Sequence, residues 1–249
     1  MHRIVTLGVS LAAVGAASVT ALAGASPSAS VNCVPAGSTQ FIGKIVTSGN
    51  LIVAPGTNCG LTQGSYVGHD VIVEKGAGFF PGGTKIGHDV LANGALFVEL
   101  GDPNNGTTQT RVGHDVIIKA TAGPVPVGNG ICQTKIGHNL TITGSKAKAS
   151  QWDVGYPDPY GCARNLDPHV YVGHNATFTN NANSFEVGDL RVGHNLDFTH
   201  NRGNPEILSG NVSLHACTAN KNTHFTGDNN RGPRDRGCNK AGGGGGGGR

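Results

Sequence analysis

Apolar and polar residues along this chain alternate in short bursts of period two. Val112, His114, Val116 and Ile118 fall on one parity, and so do Ile136, His138, Leu140 and Ile142. Strand side chains point to opposite faces in turn, so this parity predicts the lining of an interior. The bursts end in Gly, Asn or Pro, as in Leu51-Ile52-Val53 before Pro55-Gly56, which reads as a strand and its turn. The chain thus predicts many short strands joined by tight corners.

One phrase organises the bursts: apolar, Gly, His, Asp or Asn, apolar. Its histidines are His69, His88, His114, His138, His174 and His194, separated by 19, 26, 24, 36 and 20 residues. A short phrase recurring at this interval with variable filler is the signature of a solenoid. Coils of ~20–25 residues stacked at ~4.8 Å match the rungs of a parallel β-helix. The expectation is therefore an all-β parallel β-helix, right-handed as β crossovers generally are, with about seven to eight coils. Degenerate phrases extend it at both ends, with Gly43 and Gly210 in the histidine slot. The other parity reads Ile72, Leu91 and Ile117, then Thr141, Thr177, Asp197 and Ser213. The first half should thus present an apolar strip that calls for cover.

These phrases, together with the opening Cys33-Val34-Pro35-Ala36-Gly37, resemble secreted bacterial β-helix repeat proteins in which a Val-Gly-Gly-Asn phrase recurs and cysteines close the ends. More distantly the pattern resembles bactofilin-type polymer-forming repeats. The chain departs from both by placing histidine where the pattern has Gly. Cytosolic filament formation, which the bactofilin resemblance implies, fits poorly with the features that follow.

Residues 1–25 read as a signal peptide: His2 and Arg3, an apolar run from Ile4 to Ala23, then small residues suited to cleavage. No later run reaches the ~20 apolar residues of a spanning helix. The mature chain is expected to be secreted, extracellular or wall-associated, with one solenoid domain over 31–239. An insertion at 144–171 and a flexible Gly-rich tail at 240–249 complete it. The six cysteines, Cys33, Cys59, Cys132, Cys162, Cys217 and Cys238, then point to disulfides, and their grouping to local pairs: 33 with 59, 132 with 162, 217 with 238. With 13% charged residues, a net charge of +3 and no basic stripe along the sequence, a nucleic-acid partner is not expected.

Candidate chemistry is sparse. The histidine column would be a ladder of stacked imidazoles. It is read first as structural, and alternatively as a site for Zn²⁺, Ni²⁺ or Cu²⁺. Asp70, Asp89 and Asp115 are candidates to assist it, although their parity points elsewhere. Trp152, Tyr156 and Tyr160 in the insertion read first as local packing and alternatively as a sugar-stacking platform. Asp153, Asp158 and Asp167 are the only local acid cluster, too little for the paired carboxylates of a polysaccharide-cleaving enzyme. The sequence therefore points to a non-catalytic structural or adhesive solenoid without cofactor. Its expected partner is cell-wall or extracellular polysaccharide, or a second copy of itself. A polysaccharide-active protein and a metal binder are the alternatives.

Overall fold

In a computed structural model, the chain is described over residues 29–101, 109–123, 128–155, 162, 170–204 and 206–239. The leader, the tail, Tyr156, Tyr160, Asp158 and Asp167 lie outside these residues. The described residues are all strand and turn, with no helix, and every strand pairing is parallel. The strands form three sheets of ten, nine and eight members. The expected parallel β-helix is present, with about nine turns. The repeated phrase undercounts these because the terminal coils do not carry it in full.

Each coil contributes one strand to each sheet. Taking the fourth phrase, Thr134–Ile136 lies in the eight-stranded sheet and Leu140–Thr143 in the ten-stranded sheet. The chain then crosses to Trp152–Val154 in the nine-stranded sheet. We refer to the ten-, nine- and eight-stranded sheets as the first, second and third faces. Pairing is in strict register, so like residues stack: Val90 on Val116 on Leu140 on Ala176 on Leu196. These residues are fully buried, as are Ile118, Ile142, Phe178 and Phe198 one pleat further on. Registration of apolar columns is the main source of stability here. Each fully buried Val, Leu, Ile or Phe side chain contributes roughly 1.5–3 kcal/mol.

Val112, Val116 and Ile118 line the interior as their parity requires, but His114, on the same parity, is half-exposed. The phrase sits on a corner between two faces, and the bend there resets the alternation. Outward on the first face, Ile52, Ile72, Leu91 and Ile117 align into a half-buried apolar strip that gives way to Thr141, Thr177 and Asp197. Thr218 continues it, not Ser213, which is buried on the third face.

Asparagine ladders hold the other two corners of the C-terminal coils. The Asn181 N–H donates to Asn201 Oδ1 at 3.1 Å and the Asn201 N–H to Asn222 Oδ1 at 2.9 Å. Around the next corner the Asn211 N–H donates to Asn230 Oδ1 at 3.2 Å. Every rung thus supplies an acceptor for a buried N–H that a corner would otherwise orphan. The cysteines pair as 33–59, 132–162 and 217–238. The first and last pairs lie in the terminal coils, where one side of the core has no further rung to cover it.

Candidate functional site: a histidine corner beside a basic face

The corner between the third and first faces is built from the phrase residue by residue. Its glycines are required by close approach, not by left-handed backbone, since Gly68, Gly87, Gly113, Gly137, Gly173 and Gly193 do not have positive φ. A Cβ at Gly137 would strike the carbonyl oxygen of Gly113 one rung below, and a Cβ at Gly173 that of Gly137. Only a residue without a side chain lets successive corners stack.

Asp or Asn follows each histidine, and its side chain reaches the rung that comes next. Asp89 Oδ1 accepts the Asp115 N–H at 2.8 Å, and Asp115 Oδ1 accepts the Asn139 N–H at 2.8 Å. Asn139 and Asn175 do the same for Asn175 and Asn195, each at 3.2 Å. The same oxygens face the next imidazole. Nδ1 of His88 lies 2.8 Å from Asp70 Oδ1, that of His114 lies 3.1 Å from Asp89 Oδ1, and that of His138 lies 3.0 Å from Asp115 Oδ1. The aspartates therefore stand beside the rings, contrary to their parity in the sequence. An ionised carboxylate can only accept, so the neutral His88 and His114 rings donate from Nδ1 and leave Nε2 with its lone pair, whereas His138 Nδ1 also meets the Asn139 Nδ2 amide at 2.8 Å. In the later coils the neighbours are amides, as with His194 Nδ1 at 3.2 Å from Asn175 Oδ1.

The rings form a continuous ladder. Centroids are 5.1 Å apart for His88 and His114, 4.9 Å for His114 and His138, and 4.8 Å for His174 and His194. A seventh ring, His215, continues the column at 4.4 Å from His194. Sequence reading missed it because Leu214 and Ala216 replace the Gly and Asx of the phrase. Its position 21 residues after His194 was the available signal. Register also moves the slot at the other end. Thr47 pairs with Val67, which places Gly49 beside His69, so Gly43 and Gly210 are not members of the column.

The ladder is electrostatically divided. The hydrogen bond to Asp70 and the charge of Asp89 raise His88 above the usual imidazole value. Burial pushes Asp115 upward, but the Asn139 N–H and the His138 ring outweigh it and hold the carboxyl below its ordinary range. His194, among amides, is lowered by desolvation and by its neighbours His215 and His174. Protonation is thus favoured at His88 and opposed at His194. Two clusters at the acidic end bring metal-ligating atoms together: His88, Asp89 and His114, and His114, Asp115 and His138.

Beside this corner, the outward column of the third face reads Tyr66, Lys85, Arg111, Lys135, Tyr171, Arg191, each registered on the next. Lys85, Arg111, Lys135 and Arg191 are exposed, and none forms an ion pair with a described residue. Lys85 Nζ lies 5.7 Å from the centre of the Tyr66 ring, and the Arg191 guanidinium 5.6 Å from that of Tyr171. The sequence shows no basic stripe because its successive cations lie 24 to 56 residues apart; folding assembles one. From Tyr66 to Arg191 it spans five rung intervals, about 24 Å at the usual strand spacing.

Trp152 is not on a surface. It is fully buried between Asn129 and Phe185 in the second face, and its Nε1–H donates to Ser145 Oγ at 3.1 Å. Within the insertion, Trp152–Val154 is a regular strand of the second face. Asp153 is buried as well. Among the described residues no helix is long and apolar enough to cross a membrane. No protein-family model, curated protein or solved structure matches the chain, so its own geometry carries the functional reading.

Proposed function

We propose that this chain is an exported, non-catalytic β-solenoid that attaches to acidic polysaccharide at the cell surface or in the extracellular matrix. In this reading the rod lies lengthwise along the polymer. The column Lys85, Arg111, Lys135 and Arg191 carries it: four exposed cations in one line, free of ion-paired partners among the described residues. A linear polyanion with a carboxylate on each sugar presents charge at a repeat close to one rung. Tyr66 and Tyr171 in the same column offer the flat, part-apolar surface that pyranose rings pack against. Nucleic acid offers negative charge too. The three disulfides and the leader read from the sequence, however, favour an oxidising compartment outside the cell. The resemblance to secreted β-helix repeat proteins accords with this.

The test is co-sedimentation of the mature, oxidised chain with insoluble pectate, with an uncharged glucan as control and single-stranded DNA as soluble competitor. The expected result is retention on pectate, release by moderate salt, loss in the Arg111→Ala/Lys135→Ala variant and no new reducing ends. Equal retention on the glucan, or unchanged retention of the variant, overturns the proposal. Release of sugar makes the protein an enzyme, and preferential displacement by DNA reassigns the polymer.

A further inference from the structure

We infer that the acidic half of the histidine corner is a binding site for a divalent transition-metal ion of the Zn²⁺, Ni²⁺ or Cu²⁺ type. The amide half of the same ladder is not such a site. His88 and His114 each face carboxylates from two successive rungs. His88 Nδ1 is 2.8 Å from Asp70 Oδ1 and 3.2 Å from Asp89 Oδ2. His114 Nδ1 is 3.1 Å from Asp89 Oδ1 and 3.3 Å from Asp115 Oδ2. Donor atoms that share one ion at ~2.0–2.2 Å stand about 3 Å from one another. An ion replacing the Nδ1 proton of His114 would thus meet one nitrogen and two oxygens already at polyhedral spacing. The exposed side of the corner leaves its remaining positions to water.

A second observation is independent of those distances. The backbone needs an acceptor after the histidine, and Asn139 and Asn175 show that an amide suffices. Asp70, Asp89 and Asp115 perform the same backbone task and in addition set carboxylates on three neighbouring rungs beside the rings. The backbone bond alone does not call for the negative charge, which supplies anionic oxygen donors beside the imidazoles. Mixed imidazole and carboxylate donors suit Zn²⁺, Ni²⁺ and Cu²⁺, whereas Ca²⁺ and Mg²⁺ call for a fuller set of oxygens. Neighbouring stations share Asp89 and Asp115, so occupation of His114 competes with occupation of His88 and His138.

The column supplies its own control. Asp89→Asn/Asp115→Asn converts the acidic stations into the amide type used three rungs later, which keeps the backbone bonds. Titration calorimetry with Zn²⁺ and with Ni²⁺ on the full mature chain, disulfides intact, should show at least one ion bound per chain. Affinity should be at least tenfold weaker in the double Asn variant and unchanged in His174→Gln/His194→Gln. Should the Asn variant fail to fold, His114→Gln must produce the same loss. Absence of binding by the wild type, undiminished binding by the Asn variant, or an equal loss from the amide half each overturns the inference.

Discussion

Glu206 makes the solenoid core itself sensitive to pH. It occupies an interior position of the second face, registered between Phe185 and Phe225, and is wholly buried. Neither carboxyl oxygen has a hydrogen-bond partner among the described residues. Burial pushes its pKa from 4.5 to about 8, and the nearby Gly203 N–H offsets this slightly without reaching hydrogen-bond geometry. The folded chain therefore holds the proton more tightly than the unfolded chain. This contribution is fully present below the unfolded value and is lost as pH rises through the folded one. Each pH unit in that window removes about 1.4 kcal/mol, so between about pH 5 and 8 the native state should lose roughly 3 kcal/mol from this group. Glu206→Gln keeps the shape and cannot ionise. Urea unfolding followed by circular dichroism should give midpoints for variant and wild type that nearly coincide near pH 5. By pH 8 and above the variant should be clearly the more stable. Taking the difference between the two chains cancels the histidines and other carboxylates. Parallel midpoints across the range, or a wild type that gains on the variant as pH rises, would refute the assignment.

Other expectations follow from single contacts. Gly137→Ala places a methyl against the Gly113 carbonyl and should cost about 1–3 kcal/mol or more, read as a lowered melting temperature; an unchanged one contradicts the stacked-corner account. Asn201→Leu orphans the Asn181 N–H and the Phe178 carbonyl, both buried partners of its amide, at roughly 1–3 kcal/mol each, measurable by urea unfolding. Reduction of Cys217–Cys238 should strip amide protection from the last coil first in hydrogen exchange, because a solenoid loses rungs from its ends; uniform loss along the rod would count against this.

The fold was legible because the constraint on each rung is local and repeated. Val116, Ile118, Leu140 and Ile142 declare an interior by parity alone, and the Cys spacing declares three local bridges, each closing a loop of roughly one coil. The corner defeated the same rule. Alternation holds only within a strand, and Gly113 and Gly137 mark the places where it stops, so His114 was placed inside and Asp115 away from the ring it touches. Glu206 was invisible because its burial depends on Phe185 and Phe225, 20 or so residues away on either side. The basic face was present in plain sight, as Lys85, Arg111, Lys135 and Arg191 each stand two residues before the Gly of a phrase. Framing the repeat from its apolar residue cut off the position that bears the charge. Trp152 follows the packing reading rather than the sugar platform, since its own rung places it in the core.

The most direct measurement of the proposed attachment is the affinity of the mature chain for a size series of oligogalacturonides at fixed low salt. If the column from Tyr66 to Arg191 binds one polymer lengthwise, affinity should climb with each added sugar until the oligomer spans about 24 Å, then level off. Charge reversal at Arg111 should flatten that climb. An affinity independent of length, or a length dependence that survives Arg111→Glu, would contradict the account.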